Sequence, residues 1–172
     1  MADDLIIHGP FEIPHIQQST GSAKHIDKEQ AAEFLKMLDT EGIAEKQGCY
    51  VFALKASKGY MPWYIGKATK SMRQECIAAH QLTHYNGLLF KGYKGTPVMF
   101  FVAPDAKKKK VPKEVCDEIE TYLIQFAYRK NPDIRNVQKT NVPEWSIDGV
   151  VRSKQGKPTA IASAFKTMLA MD

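Results

Sequence analysis

One run of the chain, "GCYVFALKASKGYMPWYIGKA" from Gly48 to Ala68, restricts the fold more than any other. Residues 48 to 55 and 62 to 67 are rich in aromatic and β-branched side chains, and "KASKGYMP" between them supplies a turn, so the run predicts an antiparallel hairpin. Strand side chains alternate, which puts Tyr50, Phe52 and Leu54 on one face and Cys49, Val51 and Ala53 on the other. Each strand carries a tyrosine close to a glycine: Gly48 with Tyr50, and Tyr64 with Gly66. Taken singly these are ordinary strand residues, and spacing alone does not promote them.

The rest of the chain reads as helices around a small sheet. Residues 1 to 25 look irregular, punctuated by Pro10, Pro14 and Gly21. "HIDKEQAAEFLKMLDTEG" predicts a helix with Asp27 as N-cap and Ala31, Phe34, Leu35 and Leu38 at helical spacing. "SMRQECIAAHQL" after Lys70 has helical character, and a second short helix is expected near "HYNGLLF". "TPVMFFVAP" is almost continuously apolar, as a central strand covered on both faces would be. "VPKEVCDEIETYLIQFAYRKN" predicts a long helix from Pro112 to just before Pro132. A loop through Asn136, then Trp145 and a helix over "TAIASAFKTML", complete the chain. The expected fold is α+β: a small three-stranded antiparallel sheet flanked by helices, with N- and C-terminal helical extensions. We expect a single domain over 1–172, with a core at 46–140 between extensions 1–45 and 141–172.

Composition narrows the setting. The three cysteines, Cys49, Cys76 and Cys116, form no C-x-x-C pair, so they read as small buried hydrophobes rather than a disulfide framework or a zinc ribbon. No apolar run approaches the roughly 20 residues a bilayer requires. The start is acidic where a secretory signal is basic, so a cytoplasmic protein without membrane attachment is expected. The formal charge of +5 favours acidic partners such as nucleic acid.

In the long helix Cys116, Ile119, Leu123, Ile124 and Ala127 share one face, and Glu120 falls inside it. A carboxylate there either bends out to water or has a partner: a cation, donor groups or a metal ion. His80 and His84 lie four apart, but the helix lacks the glutamate of H-E-x-x-H and no third ligand is evident. Lys107 to Lys110 is either a solvated loop or a grip on phosphates. Tyr93 and Trp63 offer rings for bases, with burial the simpler reading for Trp63.

The order Gly48-x-Tyr50, Tyr64-Ile65-Gly66-Lys67-Ala68, a helix, a third strand, "ETYLI" with Glu120, and "NPDIRN" with Asn136 resembles the GIY-YIG nuclease superfamily. The resemblance implies an endonuclease that hydrolyses nucleic-acid phosphodiesters, DNA before RNA, with one Mg2+ or Mn2+ held by Glu120. It further implies Tyr50 as the base that activates water, made acidic by Lys67, with Tyr64 orienting water or phosphate and Asn136 bracing the site. The family arginine falls at Gln74, one position past Arg73, so Arg73 or failing that Lys70 is the candidate phosphate contact. His80, His84, Tyr85, Lys107 and Lys108 join Lys67, Lys70 and Arg73 as candidate nucleic-acid contacts. A catalytically impaired binding module on the same fold is the alternative, and a third is an interaction protein whose tyrosines merely pack.

Overall fold

The computed structural model describes residues 5–57, 59–105, 110–141, 146–151 and 156–171. In chain order the elements are β1 (Leu5–Glu12), β2 (Ile16–Gln17), β3 (Lys24–His25), α1 (Lys28–Thr40), β4 (Gly48–Ala56) and β5 (Gly59–Ala68). There follow α2 (Met72–Glu75), α3 (Ala79–Leu89), β6 (Thr96–Pro104), α4 (Lys113–Lys130) and α5 (Ala160–Met168). The fold is α+β, a four-stranded antiparallel sheet in the order β1-β6-β4-β5 with a small separate β2-β3 hairpin. The chain divides into two compact units, 1–140 and 141–172. In the second, Ile147 bridges to Val151, and α5 begins on a Thr159 cap whose side chain accepts from Ala162 N.

The sheet has one strand more than the sequence predicts. Residues 5 to 12 pair with β6, and the register slips between His8 and Phe11, where Pro10 sits. Proline is tolerated at a bulge on an edge strand because no ladder N–H is needed there. The exposed Ile6 and Ile7 leave no alternating pattern to read, so the strand looked like irregular chain. The β4–β5 turn is also tighter than expected, since Ala56 already pairs with Gly59 and the supposed turn residues Gly59 to Pro62 belong to β5. Pro62 again sits on an edge strand. The helix after Lys70 breaks at 76–78, so α2 is a single turn and α3 starts ahead of "HYNGLLF".

Both faces of the sheet are covered within 1–140. On one, Tyr50, Phe52, Leu54 and Trp63 pack with Phe34 and Leu38 of α1 and Tyr85, Leu88 and Leu89 of α3. On the other, Ile65 and Val51 meet Ile124, Ala127 and Leu123 of α4. Asp27 caps α1 as expected, accepting from Glu29 N at 2.8 Å and Gln30 N at 3.2 Å. All three cysteines are buried and free. Among the described residues no helix is long and apolar enough to cross a membrane.

A one-residue bulge is the feature of β5 that matters for the site. Phe52 pairs with Tyr64 but Ala53 pairs with Pro62, leaving Trp63 as the extra residue. A bulge re-aims side chains, and here consecutive residues Trp63 and Tyr64 both pack on the α3 side of the sheet.

Candidate active site

Glu120 opens on a cleft of about 250 Å³ between β5, α3, α4 and the chain that follows α4. Its side chain is 13 % exposed, and its partners are cations of the chain itself: Lys139 Nζ at 2.6 Å and Lys67 Nζ at 3.3 Å, both on Oε2. Lys67 also binds Asp117, one helical turn before Glu120, and Lys113 reaches the same aspartate at 3.0 Å. Asp117 is therefore part of the same ion-pair network as Glu120. Lysine ammoniums hold the Asp117 carboxyl down at about 2, and Asp117 in turn holds Lys67 above its ordinary range. Lys67 is thus an ammonium through the neutral pH range.

The two tyrosines share one sheet face, with ring centroids 6.4 Å apart, but their surroundings differ. Tyr50 is fully buried; its hydroxyl accepts from Gln81 Nε2 at 2.9 Å and donates to Glu75 O at 3.4 Å. Burial first, and then the neighbouring Tyr64, push its pKa far above that of a free phenol. The expectation that Lys67 would draw Tyr50 toward phenolate is corrected, because the lysine turns to Asp117 and Glu120. Tyr64 is the tyrosine that lines the cleft, and the His84 ring stacks on it at 5.5 Å and 14°. Burial raises the Tyr64 hydroxyl as well, with a hydrogen bond from Gln81 pulling the other way.

Gly48 and Gly66 both sit where a side chain would collide with a neighbour. Gly66 lies directly opposite Tyr50, and a Cβ there would overlap Cζ and the hydroxyl and sit 2.7 Å from Cε2. The tyrosine ring occupies the space a side chain would take. Gly48 has φ +146°, and a Cβ on it would run into the Val102 carbonyl of β6.

The segment after α4 is latched to the free edge of β5. Asn136 Oδ1 accepts from Ile65 N at 3.0 Å and its Nδ2 donates to Ile65 O at 2.8 Å, so one amide stands in for a strand partner. Asn131 Nδ2 donates to Pro62 O at 2.8 Å, and Arg135 N to Trp63 O at 2.8 Å. The latch brings Arg135 and Lys139 into the cleft. The Arg135 guanidinium lies over α3, where a Cβ on Gly87 would be 3.5 Å from Nη2. Replacing Asn136 by alanine strands both polar groups of Ile65, and each lost partner costs about 1–3 kcal/mol. We expect a clearly lower urea midpoint for Asn136→Ala and a weakened site, measured by circular dichroism and by cleavage; an unchanged midpoint would show that the latch bears no load.

Of the residues named from sequence, Tyr64, Lys67, His84, Glu120 and Asn136 come together at the cleft, with Tyr50 beneath it. Arg73 does not join them. It lies on α2 with its guanidinium bound to Asp39 and, through Nε at 2.6 Å, to Glu45. Gln74 and Lys70 are exposed, as is His80. Tyr85 is buried in the core, its hydroxyl donating to Cys76 O at 2.8 Å. Lys107, Lys108 and Trp145 lie outside the described residues. Sequence reasoning missed Gln81, Arg135 and Lys139. Gln81 had a signal, a polar residue on the inner stripe with Tyr85 and Leu88; the other two had none, because only the latch brings them in.

Among the described residues no three His, Cys, Asp or Glu side chains gather as a metal cage. The donor set that fits a hard divalent ion is Glu120 Oε1, which accepts no hydrogen bond among those residues while both ammoniums crowd Oε2. Magnesium takes oxygen ligands and retains several waters, so one carboxylate suits it.

Burial also raises Tyr85, and it lifts the Cys49 and Cys76 thiols to about 12. The folded chain keeps these protons after the unfolded chain would release them. Stability contributed by these groups is therefore whole below about pH 9 and falls above it, by up to about 1.4 kcal/mol per pH unit for each group. A urea midpoint that is flat from neutrality to pH 9 and drops steeply beyond pH 10 is the expected result; a flat profile to pH 11 would contradict it.

Compared with models of known families, with curated proteins and with solved structures, the chain matches none.

Proposed function

We propose that the protein is a divalent-metal-dependent endonuclease of the GIY-YIG type, hydrolysing nucleic-acid phosphodiester bonds, with DNA the first substrate to test. One observation carries the reading: a single, largely buried carboxylate, Glu120, sits in a cleft whose other polar groups are cations and hydrogen-bond donors. That combination suits a metal-bridged phosphate. The order of elements, from the tyrosine hairpin through the helix carrying Glu120 to Asn136, speaks for the same reading.

A magnesium ion bound by Glu120 would supply charge neutralisation at the departing oxygen. The remaining tasks fall to the chain. Lys67 and Lys139, each 30 % exposed, exchange Glu120 for phosphate oxygens as the substrate enters. Arg135 takes the phosphate-contacting role of the missing helix arginine, because a guanidinium offers a planar fork of donors. His84 is the proton acceptor for the attacking water, since its imidazole lines the cleft and is stacked in place on the Tyr64 ring. Tyr64, stacked beneath it, orients that water through its hydroxyl. Tyr50 remains a phenol and fixes Gln81, and Asn136 keeps the latch closed.

A second reading, a nucleic-acid-binding module without catalysis, is favoured by one observation: two lysines already neutralise Glu120. Nicking of supercoiled plasmid with Mg2+ or Mn2+, against an EDTA control, separates the two. Metal-dependent nicking supports the nuclease, and salt-sensitive binding without nicking leaves only the module.

A further inference from the structure

We propose that a groove at the turn end of the β4–β5 hairpin, distinct from the cleft, binds an unpaired nucleotide, with its base against Tyr93 and Trp63 and its phosphate at Lys94 and Lys130. The groove has a volume of about 410 Å³ and is walled by apolar residues of the hairpin, including Leu54 and Met61. That volume lies within the range of about 300–1,000 Å³ found for small-molecule sites.

Its aromatic wall is built for stacking. Trp63 is anchored at 6 % exposure, whereas Tyr93 beside it is 40 % exposed, and the two rings stand 4.6 Å apart at 50°. The rings splay rather than stack, which leaves the open tyrosine face free for a flat ligand. Lys94 follows Tyr93 directly, and Lys130 ends α4 on the far side of the groove. Both are exposed, and neither has a carboxylate partner among the described residues. An apolar, aromatic slot flanked by two uncompensated cations matches a base with its phosphate.

A nucleotide fits better than a peptide strand. An extended peptide would pair with the backbone edge of β5, but Asn131 and Arg135 already occupy the carbonyls of Pro62 and Trp63 there. Only an unpaired base can enter, because the faces of a base in a duplex are covered by its neighbours. The Trp63 bulge sets groove and cleft on adjacent residues of one strand, so a frayed or single-stranded segment can occupy both. Binding in the groove does not depend on cleavage in the cleft.

The test is fluorescence anisotropy of the full chain in EDTA, with a short labelled oligothymidylate and a duplex of equal length. The single strand should bind more tightly than the duplex, and Tyr93→Ala should weaken it about five- to hundredfold, the range for losing one stacked base. Lys94→Ala and Lys130→Ala should each reduce the slope of log affinity against log salt by about 0.7, the value for one phosphate contact on a single strand. The side chains replaced are exposed, and unchanged melting certifies the fold. Equal affinity for single strand and duplex overturns the proposal. So does a folded Tyr93→Ala variant that binds like wild type, which would assign the groove to another occupant such as an aromatic protein segment. Absence of nicking bears on the cleft reading alone, whereas an insensitive Tyr93→Ala bears on the groove alone.

Discussion

Glutamine in place of Glu120 should lower metal-dependent nicking by at least about a hundredfold, the usual cost of removing a charge-stabilising group from a reaction centre. The substitution keeps shape and removes only the charge, so the fold should persist. Lys67 retains Asp117, and the Lys139 ammonium, already 30 % exposed, is free to hydrate. Binding supplies a second readout with the opposite sign. Removing the carboxylate's charge frees the Lys139 ammonium and leaves Lys67 with Asp117 as its remaining carboxylate, so affinity for nucleic acid should hold or rise while cleavage collapses. A variant that still nicks at the wild-type rate would end the nuclease proposal, because no other carboxylate lines the cleft among the described residues. Loss of binding together with loss of nicking would indicate instead that the carboxylate merely arranges the lysines.

A large loss of stability should also come from Gly66→Ala. The added methyl coincides with the end of the Tyr50 ring, and that ring is fully buried with its hydroxyl held by Gln81. Overpacking a well-filled core costs about 1–3 kcal/mol and occasionally more. We expect the upper end, which for a chain of this size lowers the melting temperature by about 6–12 °C. The displaced ring would press toward Tyr64 and Gln81, so cleft and core should fail together. A double-mutant cycle with Tyr50→Leu tests the cause: the methyl should cost less once the ring is gone, with a coupling of about 1 kcal/mol or more. Independent, additive effects would show that Gly66 is required for some other reason.

The paired tyrosine–glycine motif shows where reading a sequence stops. Its residues marked the hairpin correctly, and in the structure both phenols share one face. Their environments then diverged, because β5 is an edge strand with a bulge at Trp63, while Tyr50 lies under α3. Alternation places a side chain on a face but says nothing about what covers it. The arginine illustrates the same limit. Arg73 fell close to the family position on a helix, yet α2 is one turn long and directs it to Asp39 and Glu45, whereas Arg135 enters the cleft from a different segment.

Local stereochemistry in the chain encodes the elements: the hairpin, the central strand Thr96–Pro104, the capped helix after Asp27, and a long helix carrying one acid inside its apolar stripe. Each of these rests on periodicity or capping within a few residues, where the chain's own stereochemistry decides. Tertiary structure alone decided the fourth strand, the choice between Tyr50 and Tyr64 as the phenol facing the cleft, the lysine partners of Glu120, and the latch that brings in Arg135 and Lys139. Asn136 and Ile65 are 71 positions apart, and Lys67 and Glu120 are 53. Contacts of that span form only when separately folded elements dock, so no local pattern records them.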